Sequence, residues 1–202
     1  IIKNNDSFGA NKSGENKKIL LEFVSANPTG PLTIGHGRGA ILGDCLSNIF
    51  TWNGYNVTKE YYYNNAGKQM ERLGLSVKAR YFELLGKSIT FPENGYEGQY
   101  IIDIAQKLIE EKGPNLTNSK SLSTFTEIAE KYLFLDIKNT LEKINIHFDH
   151  YFNEQSLYES GALESVLTKL QKKDLIYKKD GATWFRASQV GREEDRVIIK
   201  ST

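Results

Sequence analysis

The chain has 202 residues with 26 Lys and Arg against 25 Asp and Glu, so its net charge of +1 provides no general attraction for nucleic acid or membrane. Its single cysteine, Cys45, excludes an internal disulfide and is typical of a reducing compartment, so we expect a cytoplasmic protein. No apolar run approaches the roughly 20 residues that a membrane-spanning helix needs, and no membrane partner is expected.

The two ends of the chain do not read as natural termini. Ile1 is not an initiator Met, and residues 197–202 read as a strand that is cut short. We therefore expect the chain to be a piece of a longer protein. Residues 4–18 are polar and rich in Gly, Asn and Lys, which predicts a linker. We assign residues 1–18 to a connection from a missing N-terminal domain.

The next segment predicts a strand–helix–strand unit. Residues 19–25 form a short apolar run, consistent with a strand buried on both faces. Two prolines exclude a helix from residues 26–34, and residues 57–63 predict a second strand. In a parallel sheet, this order begins a doubly wound α/β fold. Between the strands, apolar residues recur with helical spacing up to Gly54: Leu42, Cys45, Leu46, Ile49 and Phe50.

The remainder of the chain alternates between helical and extended patterns. Turn residues at Asp180-Gly181 and around Gly191 predict β-hairpins from Leu175 onward. The other predicted elements are helices over 70–85 and from Ile101 to Gly113, a loop over 115–121, a helix over 123–144, a strand over 147–152 and an amphipathic helix containing Leu163, Val166, Leu167 and Leu170.

Residues 25–40 predict a nucleotide site at a helix start. Gly35, Gly37 and Gly39 remove side chains from the first helical turn, and His36 lies among them. A helix start carries partial positive charge and unpaired N–H groups, which favour phosphate, and an imidazole can donate to a developing phosphoryl charge. The alternative is that the glycines only permit tight helix–strand packing. The match to the dinucleotide fingerprint G-x-G-x-x-A is weak, because about nine residues separate the strand from Gly35.

The wider context resembles a known family. Residues 22–40, which include Asn-Pro-Thr-Gly-Pro before Gly35-His36, resemble the signature region of class I aminoacyl-tRNA synthetases, specifically bacterial-type arginyl-tRNA synthetases. Residues 60–69 (EYYYNNAGKQ) are similar to that family's E-Y-Y-x-N-D-A-G-x-Q. Residues 95–104 and 195–201 also fit the family. The resemblance covers nearly all of residues 17–202.

The resemblance implies a Rossmann-like parallel sheet with a helical insertion and a small β-hairpin insertion. The catalytic domain would begin at residues 19–69, continue at 122–172, and be interrupted by the helical insertion at 70–121 and by a truncated hairpin insertion at 173–202. It further implies an arginine–tRNA ligase that forms arginyl-adenylate from arginine and ATP and then acylates the terminal adenosine of tRNA(Arg). The tRNA would be bound mainly through domains missing here. Mg²⁺ would accompany ATP as counter-ion, without a dedicated protein metal site.

The resemblance also implies roles for individual residues. Thr33 and His36 would be the catalytic positions, with Glu154, which follows a predicted strand, binding the guanidinium of arginine through its carboxylate. Ser25 and Asn27 would hold the amino and carboxyl ends of arginine, although ordinary turn chemistry also explains them. For Glu154 the alternative is a solvated loop carboxylate. The residues implied in ATP binding are Gly35, His36, Gly37, Pro28, Thr29 and Gly30.

Thr33 and Asn65 depart from the family pattern. Thr33 stands where the family usually has its first His, and a hydroxyl cannot carry charge; Asn65 replaces an Asp. A non-catalytic synthetase-like nucleotide- or RNA-binding protein is therefore the alternative to the enzyme, and a different adenylyl-transferring enzyme is a third possibility. Since this chain would carry only one half of the active site, we expect it to be inactive alone.

Other side chains allow two interpretations. Glu22 lies within an apolar strand, where burial requires a partner, either substrate or a structural Arg or Lys. Tyr61, Tyr62 and Tyr63 could stack on a base, but alternation between core and surface positions explains them more simply. His147 and His150 would point to opposite faces of a strand, which disfavours a metal pair. Two lysine pairs are expected to be solvated, with tRNA contact as the alternative: Lys172-Lys173 and Lys178-Lys179.

Overall fold

The structure, a computed structural model, describes residues 7–118 and 122–201. Contacts divide the chain into two compact units, Ile1–Glu154 and Gln155–Thr202. Within the predicted linker, residues 1–6 lie outside the described part, and residues 7–17 form turns. Backbone hydrogen bonds tie these turns to the end of the following helix, with Gly14 donating to Asn53 over 2.8 Å. Over the residues described, no helix combines the length and apolarity needed to cross a bilayer.

A parallel sheet organises the first unit. Strands β1 (Lys18–Glu22) and β2 (Asn56–Tyr63) flank helix α1 (Ile34–Trp52), and β3 (His150–Asn153) pairs with the other edge of β2. Both pairings are parallel. The predicted strand–helix–strand unit and the α/β fold class are therefore confirmed. His147, expected within the third strand, precedes it.

Helix α1 contacts β1 through small residues rather than through its apolar stripe. Ala40, Gly43 and Ser47 are its buried residues, and a side chain at Gly43 would overlap the Phe23 ring. The stripe predicted from helical spacing is largely exposed: Leu42, Cys45, Leu46 and Ile49. Gly43 is required at this face because only glycine lets Phe23 approach the helix backbone so closely.

Strand β1 is half-exposed, so the expectation that it is buried on both faces was wrong. Its exposure alternates along the strand, and Leu20 retains 59% of its accessible surface. Only the alternate face, with Ile19 and Leu21, is partly covered within the described chain. The strand also ends earlier than predicted, at Glu22, because the backbone at Val24 and Ser25 leaves the extended region.

Helices α2 (Lys68–Leu84), α3 (Gln99–Lys112) and α4 (Leu122–Lys143) pack around a second core. Where a loop was predicted from Asn115, a 3₁₀ turn continues α3 over Gly113–Asn118, and residues 119–121 lie outside the described part. The first half of α4 belongs to this helical core, whereas its second half packs on the sheet. The buried residues of α4 are Phe125, Ala129 and Leu133 in the helical core and Ile137 and Leu141 at the sheet.

The second unit contains two helices and an antiparallel sheet: α5 (Gln155–Glu159), α6 (Ala162–Lys172), β4 (Ile176–Lys179), β5 (Ala182–Phe185) and β6 (Arg196–Ile199). The predicted turn at Asp180-Gly181 is confirmed, with φ of 52° and 74°. Asp195 accepts hydrogen bonds from Ser188 and Tyr177. The hydrogen bonds from Ser188 lower the pKa of this carboxyl.

Candidate functional site

The carboxyl ends of the three parallel strands place predicted site residues along one sheet edge. Ser25 follows β1, Asn64 follows β2 and Glu154 follows β3. The Glu154 N–H donates to the Tyr63 carbonyl over 3.0 Å, which extends the β2–β3 pairing by one residue. The Glu154 side chain is half-buried. Open α/β sheets bind ligands at this edge, so the placement of Glu154 suits a ligand contact.

The turn after β1 is strained. Val24 and Ser25 have φ of 66° and 44°, in the left-handed region that a β-branched residue such as Val rarely adopts. The Ser25 N–H donates to the Phe23 carbonyl over 2.9 Å, and its hydroxyl oxygen accepts from the Tyr62 N–H over 3.2 Å. Such strain persists only where surrounding contacts compensate, and it clusters at functional sites.

Strand β2 holds the loop that follows Ser25. The Tyr61 hydroxyl donates to the Ala26 carbonyl over 2.7 Å and accepts from the Ala26 N–H over 3.1 Å. Tyr61 is fully buried, which confirms the core interpretation for this tyrosine, and burial raises the pKa of its phenol. The phenol therefore stays protonated and can make both bonds. Pro28, an implied ATP contact, is also buried.

Asn27 connects this loop to the segment after β2. Its Oδ1 accepts from the Asn64 N–H over 3.0 Å, and its Nδ2 donates to Gln69 Oε1 over 3.2 Å. The loop residue Thr29 accepts a further hydrogen bond from Tyr100 of α3. Roles for Gln69 and Tyr100, and the hydrogen bonds of Tyr61 to Ala26, were not predicted from sequence. The signal was nevertheless present, because Gln69 and Tyr100 belong to segments that carried the family resemblance.

Thr33 is the N-cap of α1 and forms a reciprocal capping box with His36. The Thr33 hydroxyl oxygen accepts from the His36 N–H over 3.4 Å, while the Thr33 N–H donates to His36 Nδ1 over 3.1 Å. Because Nδ1 accepts a backbone proton, the ring proton lies on Nε2. The capping box thus orients the imidazole and leaves Nε2–H as a donor, so Thr33 supports His36 structurally.

Glycines open one side of the start of α1, as the sequence indicated. A Cβ at Gly37 or Gly39 would meet no atom within 4 Å, and one at Gly35 would lie 3.6 Å from the Thr33 hydroxyl oxygen, an ordinary contact. None of these glycines has a positive φ, so local geometry does not demand glycine. Packing within the described structure therefore does not explain these three glycines. The alternative considered from sequence, that they only permit tight helix–strand packing, is not supported.

Two cavities flank this helix start. A cavity of about 650 Å³ lies along the exposed side of α1 and includes Gly37, Arg38 and Cys45 in its lining. The other has about 480 Å³ and contains the predicted residues His36, Thr33 and Asn27. The remaining lining of this second cavity is Ala26, Thr29, Gly30, Pro31, Gln69, Tyr96 and Tyr100.

Glu22 does not occupy the environment expected from sequence. The side chain is exposed, on the same open face of β1 as Leu20. The expectation that Glu22 is buried was therefore wrong for this chain, and an exposed carboxylate does not require a charged partner. The physical reason is that β1 has only one covered face. A role of Glu22 in binding arginine remains a prediction.

Asn65 pairs with a carboxyl group from α4. Its Nδ2 donates to Glu130 Oε1 over 2.9 Å, and its own Oδ1 is buried. Burial, partly offset by this hydrogen bond, raises the pKa of the Glu130 carboxyl. An Asp at position 65, as in the family pattern, would place a second carboxyl group against Glu130. The amide therefore suits its neighbour in this chain.

We expect Asn65→Asp to destabilise the protein by roughly 1–3 kcal/mol at pH 8 and by less at pH 5, because a donor is replaced by a like charge. A raised folded-state pKa at Glu130 favours the folded state at low pH, and this contribution is lost as pH rises through that pKa. In the variant, the second carboxylate raises the pKa of Glu130 further, so more of the folding free energy is lost as the pH rises. Thermal unfolding at both pH values measures it. Adding Glu130→Gln should remove the pH dependence; an equal loss at both pH values would contradict the prediction.

Comparison with known proteins gives consistent matches. The model of the family described as "tRNA synthetases class I (R), catalytic domain" matches residues 1–202. Arginine–tRNA ligases from Desulfotalea psychrophila and Prosthecochloris aestuarii are 52% and 48% identical to this chain over its whole length. The chain spans 37% and 38% of the length of these two curated relatives.

Solved structures extend the match to the fold. A candidate arginyl-tRNA synthetase from Campylobacter jejuni shares 37% identity with a TM-score of 0.88, covering 99% of this chain and 44% of that one. The Thermus thermophilus arginyl-tRNA synthetase gives a TM-score of 0.61 at 20% identity, covering 92% of this chain and 33% of that one. The second match bears on the fold alone.

Proposed function

Because this chain belongs to the family of class I arginyl-tRNA synthetase catalytic domains, we propose that the whole protein is an arginine–tRNA ligase. The chain supplies the half of the active site that contains Thr33 and His36. The capped, glycine-lined start of α1 beside the Asn27–His36 cavity is the observation that carries the proposal. tRNA(Arg) would bind mainly through parts of the protein outside this chain. We propose that the protein is located in the cytoplasm.

ATP would lie across the start of α1. The space above Gly35 and Gly37 admits a flat base, since a Cβ at either glycine would meet at most one atom within 4 Å. Thr29 and Gly30, which line the neighbouring cavity, would form the facing wall. Pro28 is fully buried, so it would support this turn and not contact ATP directly. The unpaired N–H groups of the first helical turn favour phosphate. Mg²⁺ would arrive with ATP as counter-ion, since phosphate oxygens and water supply most of its ligands at nucleotide sites.

Arginine would lie along the sheet edge, with its guanidinium against Glu154. A planar carboxylate can accept two parallel N–H bonds from a guanidinium, which gives both charge and shape recognition. The Ser25 hydroxyl oxygen accepts from the Tyr62 N–H, and its proton is donated to the Phe23 carbonyl over a long 3.5 Å. A ligand would have to displace only this long bond to receive the proton. Asn27 is already held by Asn64 and Gln69, which fixes its amide for a ligand contact.

The proposed reaction has two displacements. In the first, a carboxylate oxygen of arginine attacks the α-phosphorus of ATP, and pyrophosphate leaves. In the second, a ribose hydroxyl of the terminal adenosine attacks the arginyl carbonyl, and AMP leaves. The Nε2–H of His36 would donate to the phosphoryl oxygens as negative charge develops in the first step. Positioning and charge stabilisation carry most of the catalysis in such displacements.

Thr33 does not favour a non-catalytic protein. Its hydroxyl and backbone N–H both contact His36, so the residue has a defined part in holding the imidazole. A capping box of this kind supplies orientation, although it cannot supply a second positive charge near the phosphates. We therefore expect the enzyme to be active with Thr33 at this position.

Arginine-dependent exchange of pyrophosphate into ATP tests the proposed function. The full-length protein, supplied with arginine, ATP and tRNA(Arg), should incorporate labelled pyrophosphate into ATP. Lysine in place of arginine is the matched control, because it carries the same charge without a planar guanidinium. Absence of exchange, or exchange that does not require arginine, would refute the proposal.

We expect Gly35→Ala to separate folding from ATP binding. The new methyl group meets only the Thr33 hydroxyl oxygen at 3.6 Å, and Ala favours a helix over Gly by about 0.5–1 kcal/mol, so stability should be kept or raised. The same methyl would occupy the space proposed for adenine, and the KM for ATP should rise at least about tenfold. Exchange kinetics and thermal unfolding measure the two effects.

Gly39→Ala is the control, since its methyl meets no atom within 4 Å and no ATP contact is proposed there. This variant should show the stability gain with an unchanged KM for ATP. An unchanged KM in Gly35→Ala would contradict the placement of adenine against Gly35.

A further inference from the structure

Tyr100 of α3 contacts the loop that precedes the α1 cap. Its hydroxyl donates to the Thr29 carbonyl over 3.0 Å. The same hydroxyl oxygen would lie 3.3 Å from a Cβ at Gly30, so phenol and backbone are closely apposed. This contact joins the helical insertion to the segment that leads into Thr33 and His36.

The segment around Tyr100 is anchored firmly in the insertion. The next residue, Ile101, is fully buried in the helical core. The Tyr96 N–H donates over 2.9 Å to the hydroxyl oxygen of Ser76, which is itself fully buried. Gly98 leaves room for the Tyr100 ring, because a methyl group at that position would overlap it. The contacts of residues 95–100 thus hold the Tyr100 phenol in one position.

The loop between Ala26 and Thr33 has two phenol anchors. Tyr61 of the sheet holds its beginning at Ala26, and Tyr100 holds its middle at Thr29. Only Gly30, Pro31 and Leu32 separate the second anchor from the Thr33 cap. Burial raises the pKa of the Tyr100 phenol, so it stays a donor at neutral pH. A shift of this loop would move the cap and, through the capping box, the imidazole.

We propose that Tyr100 is a positioning residue for adenylate formation: it holds the Thr29–Gly30 turn so that Thr33 and His36 keep their places at the start of α1. The helical insertion thereby acts on the rate of the first step without contacting the reacting atoms. This inference rests on the proposed function.

Tyr100→Phe in the full-length protein tests it. The variant keeps the ring and removes only the hydroxyl. We expect kcat for pyrophosphate exchange to fall about tenfold, because small misplacements of catalytic groups are costly, while the KM for arginine changes less than about twofold. The melting temperature should change by no more than about 2 °C. Amide hydrogen exchange over residues 26–33 should become faster, which reports loosening of the loop independently of activity.

Tyr132→Phe is the matched control, because Tyr132 of α4 packs against the same helical core as Tyr100 and its phenol donates to the Glu111 carboxylate at the surface. It should leave both kcat and loop exchange unchanged. Gly98→Ala, whose methyl group would overlap the Tyr100 ring and displace it, should reproduce the effects of Tyr100→Phe. Wild-type kcat in Tyr100→Phe, equal losses in Tyr100→Phe and Tyr132→Phe, or unchanged loop exchange would overturn the inference. A wild-type protein without arginine-dependent exchange but with a loop that loosens in Tyr100→Phe would instead refute the proposed function, and with it the positioning role of Tyr100 in adenylate formation.

Discussion

His36→Gln should lower kcat for arginine-dependent pyrophosphate exchange by roughly 10²- to 10³-fold, the loss typical of removing one donor to a developing oxyanion. Glutamine is a natural partner in a capping box, so the contact with Thr33 and the start of α1 should be kept. The loss should therefore appear in kcat, with the melting temperature within about 2 °C of the wild-type value. Exchange kinetics on the full-length protein measure it.

His147→Gln is the control for this variant. His147 is exposed in the loop before β3, and its ring contacts Asn145 over 3.2 Å. The substitution makes the same chemical change away from the cavity, and kcat should stay at the wild-type value. If His36→Gln retained more than about a third of the wild-type kcat, the imidazole would have no part in stabilising the phosphoryl charge.

Glu154→Gln should raise the KM for arginine and reduce kcat/KM for arginine by about 10²- to 10³-fold. Truncating one side of a buried, hydrogen-bonded charge pair costs roughly 2–4 kcal/mol, and each 1.4 kcal/mol is a factor of ten. The KM for ATP should be unchanged, since ATP is placed at the start of α1, after β1, whereas Glu154 follows β3. Steady-state exchange with each substrate varied in turn separates the two effects.

Two variants frame this result. Glu154→Asp keeps the charge but shortens the side chain, and should show a smaller loss than Glu154→Gln. Glu93→Gln alters an exposed carboxylate in the turn before α3 and should be silent. A Glu154→Gln protein with wild-type KM for arginine would show that this carboxylate is the solvated loop residue considered from sequence.

Much of the fold follows from local pattern. Two prolines and a helical spacing of apolar residues located the loop before α1 and the helix itself, and glycine after Trp52 marked its end. The parallel pairing of β1 with β2 follows because an intervening helix requires a crossover. What helical spacing could not predict is which side of α1 meets the sheet. Gly43 faces Phe23, and this contact depends on the absence of a side chain, which a pattern of apolar residues does not reveal.

Candidate site residues could be proposed from the sequence, but the contacts that support them in the structure could not. His36 and Glu154 stand out because each follows a strand or begins a helix. The bonds from Tyr61 to Ala26 and from Tyr100 to Thr29 join residues 35 and 71 positions apart, and no local periodicity encodes such pairs. The exposure of Glu22 was likewise unpredictable, because it depends on which face of β1 the rest of the chain covers.

A crystal structure of the full-length protein with arginine and a non-hydrolysable ATP analogue tests the central claim most directly. We predict adenine against Gly35 and Gly37, phosphate oxygens within hydrogen-bond distance of His36 Nε2, and the guanidinium paired with the Glu154 carboxylate. Nucleotide bound elsewhere with the start of α1 covered by protein atoms, or arginine bound away from Glu154, would contradict it.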